Sequence, residues 1–285
     1  MPFVTWLLLA LLGLAISTYG TLIGTGGGFM LVPTLLLLFP NESPSLVTAT
    51  SLSVVLISAV SGSIAYARQR RIDYVSVLTF GGPSIPGAVL GAQATHLVQR
   101  GAFDAILGVV LVVLALFLIL RPQPVVVVVG ERRGHVTRFI RDASGMTYFY
   151  TYNRLLAVVF GVGLGFVAAF FGIGGASILI PLMIQFLHFP AYIATATGQA
   201  VLLMTTSTAL ATHLFAGTLA EGQARVFALA IGALVGAQVG ARLSRRLRAV
   251  WLVRAMAFAL VLVGIRLIVN GLGPVSTLLV ALAPR

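Results

Sequence analysis

Gly24–Pro33, with the sequence GTGGGFMLVP, returns 148 residues later as Gly172–Pro181, GIGGASILIP. Each copy follows an apolar run of helix length and leads into another such run. A glycine break inside a membrane segment frees backbone N–H and C=O groups that lipid cannot satisfy. Such a break therefore persists only where it is buried in protein or lines a polar cavity. Paired breaks at matching positions in two halves of a chain are the best sequence pointer to a binding site in transporters.

The composition indicates a membrane protein. Of 285 residues, 59% are hydrophobic and only 8% are charged, with a mean hydropathy of +1.07, and long uncharged runs are typical of membrane spans. Without cysteine, the chain has no disulfide and no thiolate metal site. The net charge of +12 comes from arginines at the ends of apolar runs. Arginine in this position is typical of loops that stay on the cytoplasmic side of a membrane, and this explains the charge better than nucleic-acid binding does. We therefore expect the lipid bilayer as a partner and do not expect nucleic acid.

Apolar segments divide the chain into two membrane repeats, 1–121 and 154–285, joined by a β-rich linker, 122–153. The segments 28–40 and 176–190 are short for a straight crossing, so they are either tilted helices or returning arms of re-entrant hairpins. The repeat extends beyond the glycine stretches, since further matching motifs recur at offsets of 145 to 148 residues. The segments lie approximately at 4–23, 28–40, 45–67, 74–97, 102–120, 154–171, 176–190, 193–216, 223–242 and 249–269.

Charge placement predicts that the two halves are inserted upside down relative to each other. The loop with Arg68, Arg70 and Arg71 is net positive in the first half, whereas its equivalent in the second half is neutral. The next loop reverses this bias, as inverted halves require. The sequence thus predicts an all-α polytopic protein of two inverted halves with 8–10 membrane segments. Five crossings per half, counting the short segments, would place both termini outside and the linker in the cytoplasm.

The linker is predicted to be a small cytoplasmic β meander of three strands. Val125–Val129 is a β-branched run, and Val136–Arg141 and Met146–Tyr152 alternate in polarity. Three strands are only marginally stable alone, so we expect the meander to dock on the membrane unit. A structural clip between the halves is favoured over the alternative role, a regulatory domain.

The acidic residues argue against several function classes. All six lie in or beside predicted loops, so no carboxylate occupies the middle of a span, where proton relays and cation sites would place one. The chain also lacks a P-loop, a zinc-binding His-Glu-x-x-His helix and an acid that could orient a catalytic histidine. We therefore expect no enzyme activity, no cofactor and no metal.

Backbone and neutral polar groups remain as the candidate site. Each break precedes a helix whose first N–H groups are unpaired and whose dipole favours an anion. The candidate substrate-binding residues are Gly24, Thr25, Gly26, Gly27, Gly28, Thr50, Ser51, Gln93, Gly172, Gly174, Gly175, Ala176, Thr197, Gln199 and Gln238. Close helix packing is the competing interpretation of the glycines, and hydroxyls often bond to their own helix. His213 is a possible proton carrier, although packing near a helix end is the simpler role.

At these residues the chain resembles the sulfite exporter TauE/SafE family, also called the four-toluene sulfonate uptake family. The resemblance covers nearly the whole chain, including the linker with Asp142, Gly145 and Tyr148. It rests on both glycine stretches, the Ala-Thr pair after each, and Gly-Ala-x-x-Gly-Ala-Gln in each half. It implies eight spans from a four-span duplication and small organosulfur anions as substrates. Ala176 replaces the third glycine, so we expect the two half-sites to be unequal.

The sequence features predict a bacterial inner-membrane permease for small anions, and the family resemblance implies sulfite or sulfoacetate as substrates. It would most readily export them by alternating access around the paired helix N-termini. An inside-negative potential favours anion exit by about 2.3 kcal/mol per charge per 100 mV, so export needs no coupling ion. An anion channel and a non-transporting membrane assembly or sensor protein are the alternatives. A channel would need an open pore, and a sensor would have a filled, dry centre. The sequence leaves oligomer formation possible.

Overall fold

The computed structural model describes residues 3–120, 134–217, 223–244 and 261–271. The described chain is mainly helical. Its elements are α1 Phe3–Ile23, α2 Gly28–Leu38, α3 Pro44–Arg68, α4 Tyr74–Thr95, α5 Arg100–Leu120, β1 His135–Arg141, β2 Thr147–Asn153, α6 Arg154–Phe171, α7 Ala176–Leu187, α8 Ala191–Phe215 and α9 Gln223–Leu243, followed by a shorter helix, Val261–Gly271.

Six of the described helices are long and apolar enough to cross a membrane: α1, α3, α4, α5, α6 and α9. This confirms the predicted polytopic helical membrane protein. By contrast, α2 has 11 residues and α7 has 12, about 17 Å at 1.5 Å per residue, or roughly half of a 30 Å hydrocarbon core.

The bundle has two ends, which we name after what lies there. At the Glu42 end, Arg100 at the start of α5 donates to the carbonyl oxygens of Glu42 and Leu36, and Arg225 near the start of α9 pairs with the Glu42 carboxylate. At the hairpin end, the amide of Ala143 in the β-hairpin donates to the carbonyl oxygen of Gln69.

The short helices return to the end from which their half started. The carbonyl oxygen of Leu36, near the end of α2, accepts from Arg100 at the Glu42 end. Similarly, α6 begins at Arg154, directly after the hairpin, and Phe189, just past α7, packs against hairpin tyrosines. Both short helices therefore run back towards the end at which their half begins, as a tilted crossing or a returning arm would. The five crossings per half stay a prediction.

Corresponding helices of the two halves run in opposite directions. Helix α3 ends beside Gln69 at the hairpin end, whereas α8 begins there, just after Phe189. Helix α9 also ends at the hairpin end, because Gln69 Nε2 donates to the carbonyl oxygen of Ala241, whereas α4 begins there after Asp73. This opposite sense is the relation that an inverted repeat requires.

Helices of different halves pack in parallel pairs through glycines. A Cβ atom added at Gly232 would lie 1.9 Å from the carbonyl oxygen of Ala10, and one at Gly240 would lie 2.2 Å from that of Thr18. Helix α4 lies along α6 in the same way, through Gly87. Such backbone contact is how helices associate in lipid, and it explains the Gly-Ala-x-x-Gly-Ala-Gln motifs as packing surfaces.

The described part of the linker is a two-stranded antiparallel hairpin with Phe139 opposite Phe149. The third predicted strand, Val125–Val129, lies outside the described residues. The hairpin docks as expected, because Tyr150 and Tyr152 are buried and their rings lie 4.5 and 5.0 Å from that of Phe189.

Candidate functional site

Three glycines in each break adopt a left-handed backbone that other residues rarely adopt. The φ angles are +89°, +70° and +89° at Gly24, Gly26 and Gly27, and +69°, +78° and +70° at Gly172, Gly174 and Gly175. Glycine takes this conformation without steric cost. The sequence thus ends α1 and α6 sharply and starts α2 and α7 within four residues.

The two breaks meet in the structure. A Cβ atom at Gly28 would lie 2.7 Å from the carbonyl oxygen of Ile173, in the opposite break. Each break also lies on the long helix of the other half. Gly24 packs on Thr195, and Gly172 packs on Thr48. Ser51 adds a hydrogen bond, since its Oγ donates to the carbonyl oxygen of Gly172 at 2.9 Å.

Val55 and Leu202 fill the space between the breaks. A Cβ atom at Gly26 would lie 2.3 Å from Leu202 Cδ2 and 3.3 Å from Val55 Cγ1. At Gly174 the corresponding distances are 2.4 Å to Leu202 Cδ1 and 3.0 Å to Val55 Cγ1. The centre of the described bundle is therefore closed by two aliphatic side chains.

Free amide groups lie at the start of both short helices. The structure has no hydrogen-bond acceptor for the N–H groups of Gly27, Gly28 and Phe29 among its described residues. The same holds for the N–H groups of Gly175 and Ser177. Unpaired donors at a helix N-terminus, together with the helix dipole, form an environment suited to an anion.

Four of the five remaining sequence candidates near the centre have hydrogen-bond partners within the protein. Thr25 Oγ1 donates to the carbonyl oxygen of Gly20 in its own chain segment, and Thr50 is buried on α3. Thr197 Oγ1 accepts from the amide of Asp73 at the hairpin end. Gln199 Nε2 donates to the carbonyl oxygen of Ser58, and Gln238 Nε2 to that of Ser61.

Little space is left beside the second break. A cavity of about 10 Å³ adjoins Gly174, Gly175 and Ala176, close to the lower limit for one water molecule. Its polar wall comes from Ser84 and Thr205, whose hydroxyl oxygens lie 3.1 Å apart. An anion therefore needs a change in helix packing to pass this point.

Gln93 and His213 belong to a different place, near the Glu42 end. Gln93 lines a groove of about 800 Å³ between α4 and α8, together with His96, Thr208 and Thr212. The buried His213 packs on His96, with ring centroids 5.4 Å apart. The structure thus separates these two candidates from the glycine breaks.

Asp73 joins the hairpin to the membrane unit, which sequence reasoning missed. Its carboxylate accepts from Arg138 Nε at 3.0 Å, Tyr150 Oη at 2.6 Å and Ser76 Oγ at 2.5 Å. Burial acts to raise the pKa of Asp73, but the bonds from Arg138, Ser76 and Tyr150 outweigh it, so this pKa lies below its ordinary value. Burial and the Asp73 charge raise the pKa of Tyr150.

Sequence reasoning also missed Val55 and Leu202. A signal was present, because the two residues are separated by 147 positions, the offset that relates Thr50 to Thr197. Aliphatic residues within apolar spans have no chemical signature of their own, so only their place between the breaks distinguishes them.

Comparison with known families decides the assignment. Residues 9–267 match the family model described as Sulfite exporter TauE/SafE. The chain belongs to the sulfite exporter TauE/SafE family. It is therefore an integral membrane protein of a transporter family and not an enzyme.

Curated relatives of this TauE/SafE family member are named as transporters without a substrate. The chain is 30% identical over 274 residues to the probable membrane transporter protein YunE of Bacillus subtilis, covering 94% of this chain and 99% of the relative. It is 27% identical to a probable membrane transporter protein of Haemophilus influenzae, over 65% of this chain and 63% of the relative. No solved structure matches the chain.

Proposed function

We propose that this TauE/SafE family member is a secondary transporter that exports small anions, with sulfite and small organosulfonates such as sulfoacetate as the leading candidates. One observation supports the proposal above the others. The two glycine breaks meet between the halves, and each presents unpaired amide groups at the start of a half-length helix. Half-helix N-termini that meet between repeats are the usual arrangement for anionic groups in transporters.

The placement of charge supports an anion as the substrate. The described carboxylates of Glu42 and Asp104 lie towards the Glu42 end, and those of Asp73 and Asp142 lie at the hairpin end. All four form ion pairs with arginine. The breaks therefore offer an anion amide donors without a neighbouring carboxylate to repel it.

The closed centre and the helix directions support alternating access as the mechanism. Val55 and Leu202 close the path, so transport requires the halves to move relative to each other. The opposite sense of α3 and α8 supports inverted insertion in the bacterial cytoplasmic membrane. We place the arginine-rich hairpin end in the cytoplasm, following the bias of arginine to that side.

Flux measurements in liposomes test this function. Vesicles containing the purified protein are loaded with sulfite, sulfoacetate or short carboxylates, and efflux is followed under a potassium diffusion potential. Efflux of the true substrate should saturate, show counterflow and accelerate when the interior is negative, because charge leaves with the anion. Flux without saturation would indicate a channel, and no flux of any anion would indicate an assembly or sensor role. A rate that ignores potential but follows a proton gradient would indicate electroneutral co-transport, with His213 as the proton carrier.

A further inference from the structure

A buried polar cluster lies between the glycine breaks and the hairpin end. We define it by Ser17 and Thr21 of α1, Ser58 and Gly62 of α3, and Gln199 of α8. The four polar side chains are at most 2% exposed. Ser17 Oγ lies 2.7 Å from Ser58 Oγ, which lies 3.2 Å from Thr21 Oγ1. Gln199 Nε2 donates to the carbonyl oxygen of Ser58 at 3.2 Å.

The hydroxyl protons of this cluster can be assigned by counting. Ser17 Oγ lies 2.9 Å from the carbonyl oxygen of Ala233, which can only accept, so the Ser17 proton is used there. Ser58 must then donate to Ser17, and Thr21 must donate to Ser58. The bond to the Ser58 carbonyl likewise fixes Nε2 as the Gln199 atom on that side. Gln199 Oε1, which is buried, is left without a donor. The unused hydrogen-bonding capacity of the hydroxyls and of Oε1 is acceptor capacity.

The corresponding place in the other half is apolar at three of the five positions, whereas Ser58 corresponds to Thr205, which keeps a hydroxyl, and Ser17 to Gly165. At the repeat offsets, Gln199 corresponds to Leu52, Thr21 to Ala169, and Gly62 to Ala209. These three counterparts pack together in one buried hydrophobic cluster with Ala88 and Ala92. The fold can therefore fill the Gln199, Thr21 and Gly62 positions with aliphatic side chains, and the Gln199 amide and the Thr21 hydroxyl are not needed to build it. Burying an acceptor without a donor is unfavourable, which indicates that the polar version has another use.

The local geometry favours a cation over an anion. Gly62 lets Gln199 and Thr21 approach α3 closely, since a Cβ atom there would lie 2.6 Å from Gln199 Nε2 and 3.0 Å from Thr21 Cγ2. Thr21 lies in the last turn of α1, where the helix dipole is negative and stabilises positive charge. Broken helices with free C-terminal ends coordinate sodium ions in other transporter folds. The described cluster contains no carboxylate, so it does not supply the charge that a divalent ion prefers.

We propose that this polar cluster is a sodium-binding site. Gln199 Oε1 and the hydroxyl oxygens of Ser17, Thr21 and Ser58 are the candidate ligands. The site is distinct from the paired amide groups that would bind the anion. It does not depend on the direction of anion transport.

Thermal unfolding of the detergent-purified full-length protein tests the site without any transported anion. Sodium chloride is titrated against choline chloride at constant total chloride, with potassium chloride as a third series. Wild-type Tm should rise by about 3 °C for each tenfold increase in sodium concentration above the dissociation constant. Choline should have no such effect, and potassium a weaker one.

Gln199→Leu and Gly62→Ala install the residues that the chain itself carries at the counterpart positions. Gln199→Leu should fold and lose the sodium-dependent rise, and Gly62→Ala, whose methyl group would displace the Gln199 amide, should lose it as well, whatever its Tm in choline chloride. Ser61→Ala is the matched control, because it removes a hydroxyl from the same helix outside the cluster and should keep the full sodium response. A wild-type Tm independent of sodium, or a Gln199→Leu variant that responds as wild type does, would overturn the proposal. Sodium binding without anion flux would leave this site standing and refute only the transport function.

Discussion

Val55 and Leu202 lie against each other's glycine break as well as their own. Each residue is the twelfth of a 25-residue helix, α3 and α8 respectively. Both approach Gly26 and Gly174. The two side chains thus occupy the place where an axis relating the halves would pass, and any solute that moves between the breaks must displace them.

Shortening these side chains should open a leak. We expect Val55→Ala with Leu202→Ala to raise passive anion flux through proteoliposomes on the order of tenfold, equivalent to about 1.4 kcal/mol off the barrier. Val54→Ala is the matched control, because Val54 is similarly buried on α3 but belongs to a separate apolar cluster. Equal anion flux in the wild type, the double variant and Val54→Ala would mean that the anion does not pass between Val55 and Leu202.

The glycines can be separated by whether an added side chain would point at the centre or at a neighbouring helix. Gly26→Ala and Gly174→Ala add a methyl group against the flexible tip of Leu202, whereas Gly27→Ala points at Ile16. All three place alanine in a left-handed conformation at a similar cost of about 1–2 kcal/mol. We expect the first two to reduce flux per folded molecule more than Gly27→Ala does. Thermal unfolding and vesicle flux measured on the same preparations decide this.

Gly163→Ala provides a control for handling and expression. A Cβ atom there meets nothing within 4 Å, and the position is helical, where alanine is favoured over glycine by up to about 1 kcal/mol. Its Tm should be equal to or higher than that of the wild type, with unchanged flux. If transport is impaired in Gly163→Ala, then a loss of flux in the other glycine variants cannot be attributed to the glycine breaks.

The Asp73 carboxylate should hold the hairpin in place at neutral pH and release it in acid. Its folded pKa lies below the unfolded value, so the stabilisation is complete above the unfolded pKa and is lost as pH falls below about 4. Asp73→Asn should expose the hairpin to protease at pH 7 by removing charged hydrogen bonds, each of about 1.5–3 kcal/mol. Tyr150→Phe, which removes one neutral donor, should have a smaller effect. Unchanged protection in Asp73→Asn would mean that aromatic packing on Phe189 suffices.

Single cysteines test the inverted insertion, since the chain has none of its own. Cysteines at the exposed positions Arg70 and Arg242 should react with an impermeant maleimide from the cytoplasm. Cysteines at Gln99 and Gln223, also exposed, should react from outside. Labelling of Arg70 and Arg242 from opposite sides would contradict both the topology and the observed contact of Gln69 with Ala241.

The membrane class, the repeat and the family could be predicted from the sequence, because they depend on local composition and on motif spacing. Glycine breaks can also be recognised in a sequence. A membrane segment with unpaired backbone groups must be buried in protein or line a polar cavity, because lipid cannot bond to those groups. The candidate site was predicted only in part. Thr25 and Gln93 were selected as polar residues, yet Thr25 bonds within its own segment and Gln93 lies in a groove near His96.

Only the tertiary structure decided which residues meet. Short helices of 11 and 12 residues do not reveal their neighbours from sequence, and the contact of Arg100 with Leu36 places the end of α2 beside the start of α5. Val55 and Leu202 resemble any other aliphatic residue of a span until two breaks close around them. The polar cluster differs from its counterpart in the other half at a few positions. Whether it can bind a cation depends on which hydroxyl group donates to which, and the sequence does not contain this information. Hydrophobicity acts along the chain and can be read from it, whereas packing and hydrogen-bond direction arise between segments far apart in sequence.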